Sequence, residues 1–118
     1  MTAWRSEERP VKRLELIDPD ALAERLSSDN GIVVLDVRDD DEFAKAHIPG
    51  SVHVPYGQLT GRLAELPSDR VIATVCSGGK RSGLAASLLQ REGYGSVIHI
   101  GHGGVGTWER GGHPVESS

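Results

Sequence analysis

An apolar run, Val71-Ile72-Ala73-Thr74-Val75, passes into Cys76-Ser77-Gly78-Gly79-Lys80-Arg81-Ser82 and then into the helical pattern Gly83-Leu84-Ala85-Ala86-Ser87-Leu88-Leu89-Gln90. This stretch constrains the chain more than any other, because it sets a strand, a short Gly-rich loop and a helix in direct succession. Its two glycines let the loop fold tightly and turn several backbone N–H groups toward one point. The helix that follows, expected over Ser82 to Arg91, adds its own unpaired N–H groups and the positive end of its dipole. Lys80 and Arg81 add full charge, and the chain's single cysteine, Cys76, is expected at the mouth of this arrangement. Such surroundings favour the thiolate, the reactive form of cysteine. The loop reads as an active site built around a nucleophilic sulfur.

The rest of the chain supplies matching pieces. Leu14-Glu15-Leu16-Ile17 suits a short strand, with Asp18 as helix N-cap and Pro19 in the first turn. Ala21, Leu22 and Leu26 give the apolar side of a short helix, ended by the turn Asp29-Asn30-Gly31. Ile32-Val33-Val34-Leu35-Asp36-Val37 is nearly all apolar, as in a parallel-sheet strand covered on both faces. Asp36, near its C-terminal end, then requires hydrogen bonds or a cation, and Arg38 and Arg81 are the candidates. An ion pair of Asp36 with Arg38, orienting loops behind the site, is the expected arrangement.

Asp39 to Lys45 forms an acidic helix start with Phe43 pointing inward, and His47 locks the turn His47-Ile48-Pro49-Gly50-Ser51 by hydrogen bonding. Val52-His53-Val54 is a strand broken by Pro55, and Gln58 to Glu65 is a further helix. Ser96-Val97-Ile98-His99-Ile100 is a strand, Gly101-His102-Gly103-Gly104 a flexible loop, and Val105 to Arg110 a final helix. Strands alternating with short helices predict an α/β domain with a mostly parallel sheet.

Length fits one domain at 118 residues: 1–13 as a flexible lead-in, 14–115 as the domain, 116–118 as a tail. No apolar run is long enough to span a bilayer, and a net charge of −4 argues against nucleic acid as a partner. A lone cysteine makes no internal disulfide and no zinc cluster, so no metal and no cofactor are expected, and a reducing, cytoplasmic setting fits best.

Four segments together resemble a single-domain rhodanese, a sulfurtransferase module: Leu35-Asp36-Val37-Arg38 with Glu42-Phe43, the turn His47 to Ser51, the loop Cys76-x-x-Gly79-x-Arg81-Ser82, and Gly103-Gly104-x-x-x-Trp108 with Gly112-His113-Pro114-Val115. They occur in the family's order, and the resemblance covers roughly Leu14 to Val115. Two positions depart from the pattern: Ala46 stands where a glycine often precedes the turn, and Gly101 where a bulky apolar residue is usual. The resemblance implies a five-stranded, mainly parallel sheet flanked by helices on both sides. It also implies transfer of a sulfane sulfur. Cys76 takes it from a donor such as thiosulfate, becomes a persulfide, and yields it to cyanide or a thiol, by two covalent steps.

An anionic donor suits the cations Arg81 and Lys80, for which the alternatives are ordinary surface charge and, for Arg81, pairing with an acidic residue. The backbone N–H groups of Ser77, Gly78, Gly79 and Ser82 are expected to bind the substrate as well, with a helix cap as the alternative for Ser82. His102 could tune the pocket or simply be solvated. Two other functions compete. Phosphatase or arsenate reductase chemistry occurs on related folds whose loops separate Cys and Arg by one residue more. A persulfide carrier or docking module would retain Cys76 without turnover. With no second cysteine, the final acceptor must be a small molecule or another protein.

Overall fold

Consecutive apolar residues oblige a strand to be covered on both faces. The computed structural model, which describes residues 13–28, 31–67, 69–101 and 104–117, covers them that way. β1 (Arg13–Ile17), β2 (Ile32–Asp36), β3 (Val52–His53), β4 (Val71–Val75) and β5 (Ser96–Ile100) form one sheet in the order β1-β5-β4-β2-β3. Every pairing is parallel, where the sequence predicts a mainly parallel sheet. β4 lies between β2 and β5, so its C-terminal end opens at the centre of the sheet.

Along β2, Leu35 joins the apolar cluster on one face while Ile32 and Val34 join the other. The first face packs against α3 (Lys80–Arg91), through Ala85, Ala86 and Leu89. The second packs against α1 (Pro19–Ser28) and α4 (Gly104–Arg110), through Leu22, Val105 and Trp108. Leu22 has no exposed surface, and cutting it to alanine should cost about 2–5 kcal/mol. Asp18 caps α1 as expected, its Oδ1 accepting the Ala21 N–H at 2.8 Å.

Several expectations are corrected. The stretch predicted as a helix over Gln58 to Glu65 is two 3-10 turns, Tyr56–Gln58 and Thr60–Glu65. Its bonds reach back three residues, as in Gln58 N–H to Pro55 O at 2.8 Å and Arg62 N–H to Leu59 O at 3.0 Å. With Pro55 before it and Gly57 and Gly61 within, it does not sustain wider turns. Phe43 does not enter the core: α2 (Asp40–Lys45) buries none of its residues. Phe43 instead stacks between two imidazoles, its ring centre 3.8 Å from that of His47 and 4.3 Å from that of His53, with the three ring planes nearly parallel. His47 holds its turn as expected, with Nδ1–H donating to Phe43 O at 2.7 Å. Glu116, in the stretch read as a tail, exchanges backbone hydrogen bonds with His47 at 2.8 Å in each direction. Residues 1–12 with Trp4, Asp29 and Asn30 of the first turn, Ser68, His102, Gly103 and Ser118 lie outside the described residues, and the readings of 1–12 as a lead-in and of His102 lie there with them. Arg13, the last residue of the expected lead-in, instead opens β1, paired with Ser96.

Candidate active site

Cys76 is the first residue beyond β4, and its carbonyl is fastened from the far side by the start of α4. Val105 N–H donates to Cys76 O at 3.0 Å. Gly104, at φ +55°, brings its backbone so close that an added Cβ would stand 1.6 Å from that oxygen. No side chain larger than hydrogen fits there.

The loop then turns back over the sulfur. Gly79 sits at φ +94° as the residue capping α3, and its N–H donates to Cys76 Sγ at 2.9 Å. α3 therefore begins at Lys80, two residues earlier than predicted, because the left-handed glycine starts it. Ser82 does not cap it: it lies in the first turn, fully buried, with its N–H and its Oγ each 3.4 Å from Sγ. Cys76 itself is 1 % exposed, so the sulfur lies enclosed beneath the loop and not at its mouth, as the sequence suggests. Burial alone pushes the thiol up. The Ser82 hydroxyl, the Ser82 and Gly79 N–H groups and the Gly78 backbone together outweigh it and hold the thiol below its ordinary value.

The two cations of the loop diverge. Lys80 is exposed and has no ion pair among the described residues. Arg81 turns toward α2, where Nη1 donates to Glu42 Oε1 at 2.9 Å and Nη2 to Oε2 at 3.2 Å, with Nη2 also donating to Ser77 Oγ at 2.9 Å. Asp39 stands 4.0 Å from the same guanidinium. Glu42 is held in place in turn, its Oε1 accepting the Asp39 N–H at 3.0 Å at the head of α2. Hydrogen bonds from Arg81 pull the Glu42 carboxyl from 4.5 down to about 2, against the effect of burial. Arg81 is raised by the same contact, and the sulfur's charge adds to this. Arg81 keeps Nε–H and one Nη1–H free of hydrogen bonds among the described residues.

Asp36 takes Arg38 as partner, as predicted, and not Arg81. Arg38 Nε and Nη2 reach its carboxylate at 2.9 Å and 2.7 Å, and Nη2 continues to Ala46 O at 2.7 Å. The pair is buried and ties β2 to the end of α2. Gly101, the other departure from the pattern, is buried with Leu16 Cδ1 only 3.1 Å from where its Cβ would stand. Leu16 of the edge strand thus occupies space that a larger residue at 101 would need.

Two residues of the site escape sequence reasoning. Glu42 is 39 positions from Arg81, and only the Asp39–Glu42 spacing, that of a capping box, hints that its carboxylate is fixed. His99 carries no signal beyond its place in a strand, yet its Nε2 reaches Gly79 O at 2.9 Å under the loop. No group of three or more His, Cys, Asp or Glu side chains able to hold a metal ion occurs among the described residues. Nor is any helix among them long and apolar enough to cross a membrane.

The chain is similar in sequence and in fold to known proteins. A sulfurtransferase of Allochromatium vinosum is 33% identical over 84% of this chain and 92% of its own. A Bacillus subtilis protein named as a sulfur carrier, YrkF, is 38% identical over 71% of this chain and 45% of its own, so the chain spans less than half of that relative. The crystal structure of a rhodanese-related protein of Thermoplasma volcanium superposes with a TM-score of 0.76 at 28% identity, over 88% of this chain and 99% of that one. The family described as the rhodanese-like domain matches residues 18–110. The chain belongs to the rhodanese-like domain family.

Proposed function

We propose that this domain transfers a sulfane sulfur through a persulfide on Cys76. The observation that carries the reading is the convergence on one buried sulfur of the Gly79 N–H at 2.9 Å and of the Ser82 N–H and hydroxyl at 3.4 Å. Relatives named as sulfurtransferases and as a sulfur carrier support sulfur transfer as the class of chemistry. With thiosulfate as donor, the Cys76 thiolate attacks the outer sulfur. A new S–S bond forms at Cys76, the S–S bond of thiosulfate breaks, and sulfite leaves with the electron pair. Cyanide or a thiolate then attacks the terminal sulfur of the persulfide. The acceptor's new bond to sulfur replaces the S–S bond, and the Cys76 thiolate is regenerated. The loop amides that stabilise the thiolate also suit the anionic terminal sulfur.

Arg81 and Lys80 serve the anionic donor in this reading, Arg81 with the two N–H groups that Glu42 and Ser77 leave, Lys80 as an exposed rim charge with no ion pair among the described residues. Ser77, Gly78 and Gly79 contribute backbone N–H groups. Asp36 and Arg38 hold the neighbouring loop. Cys76 and Arg81 are close in sequence, which favours a sulfur atom over a tetrahedral phosphate. The small-molecule partners are a sulfur donor and a thiophilic acceptor, in a cytoplasmic setting, and a protein can take the acceptor's place.

Initial rates with thiosulfate and cyanide, beside an aryl phosphate, test the reading. Thiocyanate release with parallel double-reciprocal lines is expected. Phosphate release without thiocyanate would replace it with phosphatase chemistry. A persulfide that forms but turns over slowly would favour the carrier reading. The single cysteine, 1 % exposed, gives that reading its physical basis.

A further inference from the structure

We infer that His99 is a positioning residue for the Cys76 sulfur: from β5 it holds the Gly79 carbonyl, so that the Gly79 amide and the Ser82 hydroxyl hydrogen stay directed at Sγ. The inference rests on the role proposed for Cys76.

Ser82 has one hydroxyl hydrogen and three acceptors within reach. They are Cys76 Sγ at 3.4 Å, Gly79 O at 3.1 Å and Ile100 O at 3.4 Å. The nearest is not the sulfur. Gly79 O, however, already accepts from two other donors, the Gly83 N–H at 3.0 Å and His99 Nε2 at 2.9 Å. A carbonyl has two lone pairs, and these two donors fill them. With both lone pairs taken, Gly79 O competes less well for the hydroxyl hydrogen, and in the thiolate form of Cys76 the sulfur is the stronger acceptor of the two left. His99 also braces the turn. Gly79 holds φ +94°, the conformation that aims its N–H at Sγ, and its carbonyl is the group His99 grips.

The imidazole is fitted to this place. A Cβ at Gly83 would stand 3.1 Å from His99 Cε1, so glycine in the first turn of α3 makes room for the ring. His99 itself is half-buried between β5 and that turn. With Nε2–H donating to Gly79 O, the tautomer is set by the carbonyl. Arg81 is the charged group coupled to the sulfur, with Glu42 and Asp39 as its partners, and none of the three forms a hydrogen bond or ion pair with His99.

The rate of Cys76 alkylation by iodoacetamide against pH tests this without any sulfur donor, so it fails independently of the sulfur-transfer reading. In His99→Leu, alkylation at neutral pH is expected to fall by about three- to tenfold, and the pH midpoint to rise, as when one hydrogen bond to the anion is lost. His99→Gln, which keeps an N–H donor, should recover most of the rate. In Ser82→Ala the further loss from His99→Leu should shrink, because the hydroxyl through which His99 acts is gone. An unchanged midpoint in folded His99→Leu would overturn the inference. So would a glutamine variant no better than leucine, which would assign His99 to packing alone. Should the leucine variant not fold, His99→Met, whose flexible chain fills irregular space, carries the same comparison.

Discussion

The central strand β4 and its neighbour β2 lie side by side, and each leads to a polar group that the sheet has carried out of water. Asp36 closes β2 and Cys76 follows β4. At Asp36 the accounts are closed. Arg38 meets the carboxylate through Nε and Nη2, the Arg38 N–H adds a bond at 3.0 Å, and charge cancels charge. At Cys76 the partners are neutral donors at 2.9–3.4 Å, aimed at a sulfur whose nearby cation, Arg81, is engaged with Glu42. A buried anion neutralised by its own bidentate partner has nothing left to offer a substrate. A buried sulfur met by amide and hydroxyl donors ionises more readily than an ordinary thiol and keeps lone pairs for a bond. The first arrangement ties strand and loop together, and the second is the one that the proposed sulfur transfer uses.

Substitutions should separate the two ends. The largest functional effect is expected from Cys76→Ser. Sulfur transfer should be lost altogether while the denaturation midpoint stays near that of wild type, because a hydroxyl without an adjacent base is a poor nucleophile. Transfer activity in this variant would remove Cys76 from the mechanism. Arg38→Ala should do the reverse. It strands Asp36 as an uncompensated buried charge, at about 3–5 kcal/mol in urea denaturation, with the pH midpoint of Cys76 alkylation little moved in the protein that remains folded. Equal effects on both readouts would mean that the two strand ends act as one unit.

Arg81→Ala stands between them. Loss of a charge-assisted contact to an anion should lower kcat/KM for thiosulfate by about 1.5–3 kcal/mol, with a smaller change in stability. Since Glu42 already neutralises much of the guanidinium, the lower end of that range is expected. Unchanged kinetics would make Arg81 a clamp between the loop and α2 and nothing more.

Acid gives the smallest effect. Glu42 titrates near 4.5 unfolded and about 2 folded, so its contribution is complete above about pH 4.5 and drains away as pH falls toward about 2. The pair is about one-third exposed, so solvent screening keeps this contribution small. A Glu42→Gln protein should have lost it already, and its stability should fall less steeply than that of wild type across that interval.

The succession of strands along the chain was legible, with limits good to one residue, because apolar runs and Gly-Pro punctuation are local signals: β1 starts one residue earlier than read, at Arg13, and β2 and β3 each stop one residue sooner, at Asp36 and His53. The Val71–Val75 run matches β4 residue for residue, and the Ser96–Ile100 run matches β5. Cys76 was legible for the same reason, standing between a strand and a Gly-rich helix start. What stayed hidden depends on side chains meeting across the sheet. Arg81 had acidic candidates throughout the chain, and nothing in its own neighbourhood selects Glu42. His99 reads as one more strand residue, since the carbonyl it binds lies 20 positions away. The start of α3 was misjudged because Ser82 resembles a cap, while the residue that does cap it, Gly79, acts through a backbone angle and not through a side chain.

The mass of the intact protein, taken before thiosulfate, after it and after cyanide, tests the central claim most directly. Wild type should gain the mass of one sulfur atom with thiosulfate alone, and since the chain has a single cysteine the addition is at Cys76. Cyanide should then restore the original mass and release thiocyanate. A protein that gains no sulfur from thiosulfate or any other sulfane donor, while its Cys76 still reacts with iodoacetamide, would contradict the account: the loop would then stabilise a thiolate that carries no sulfur.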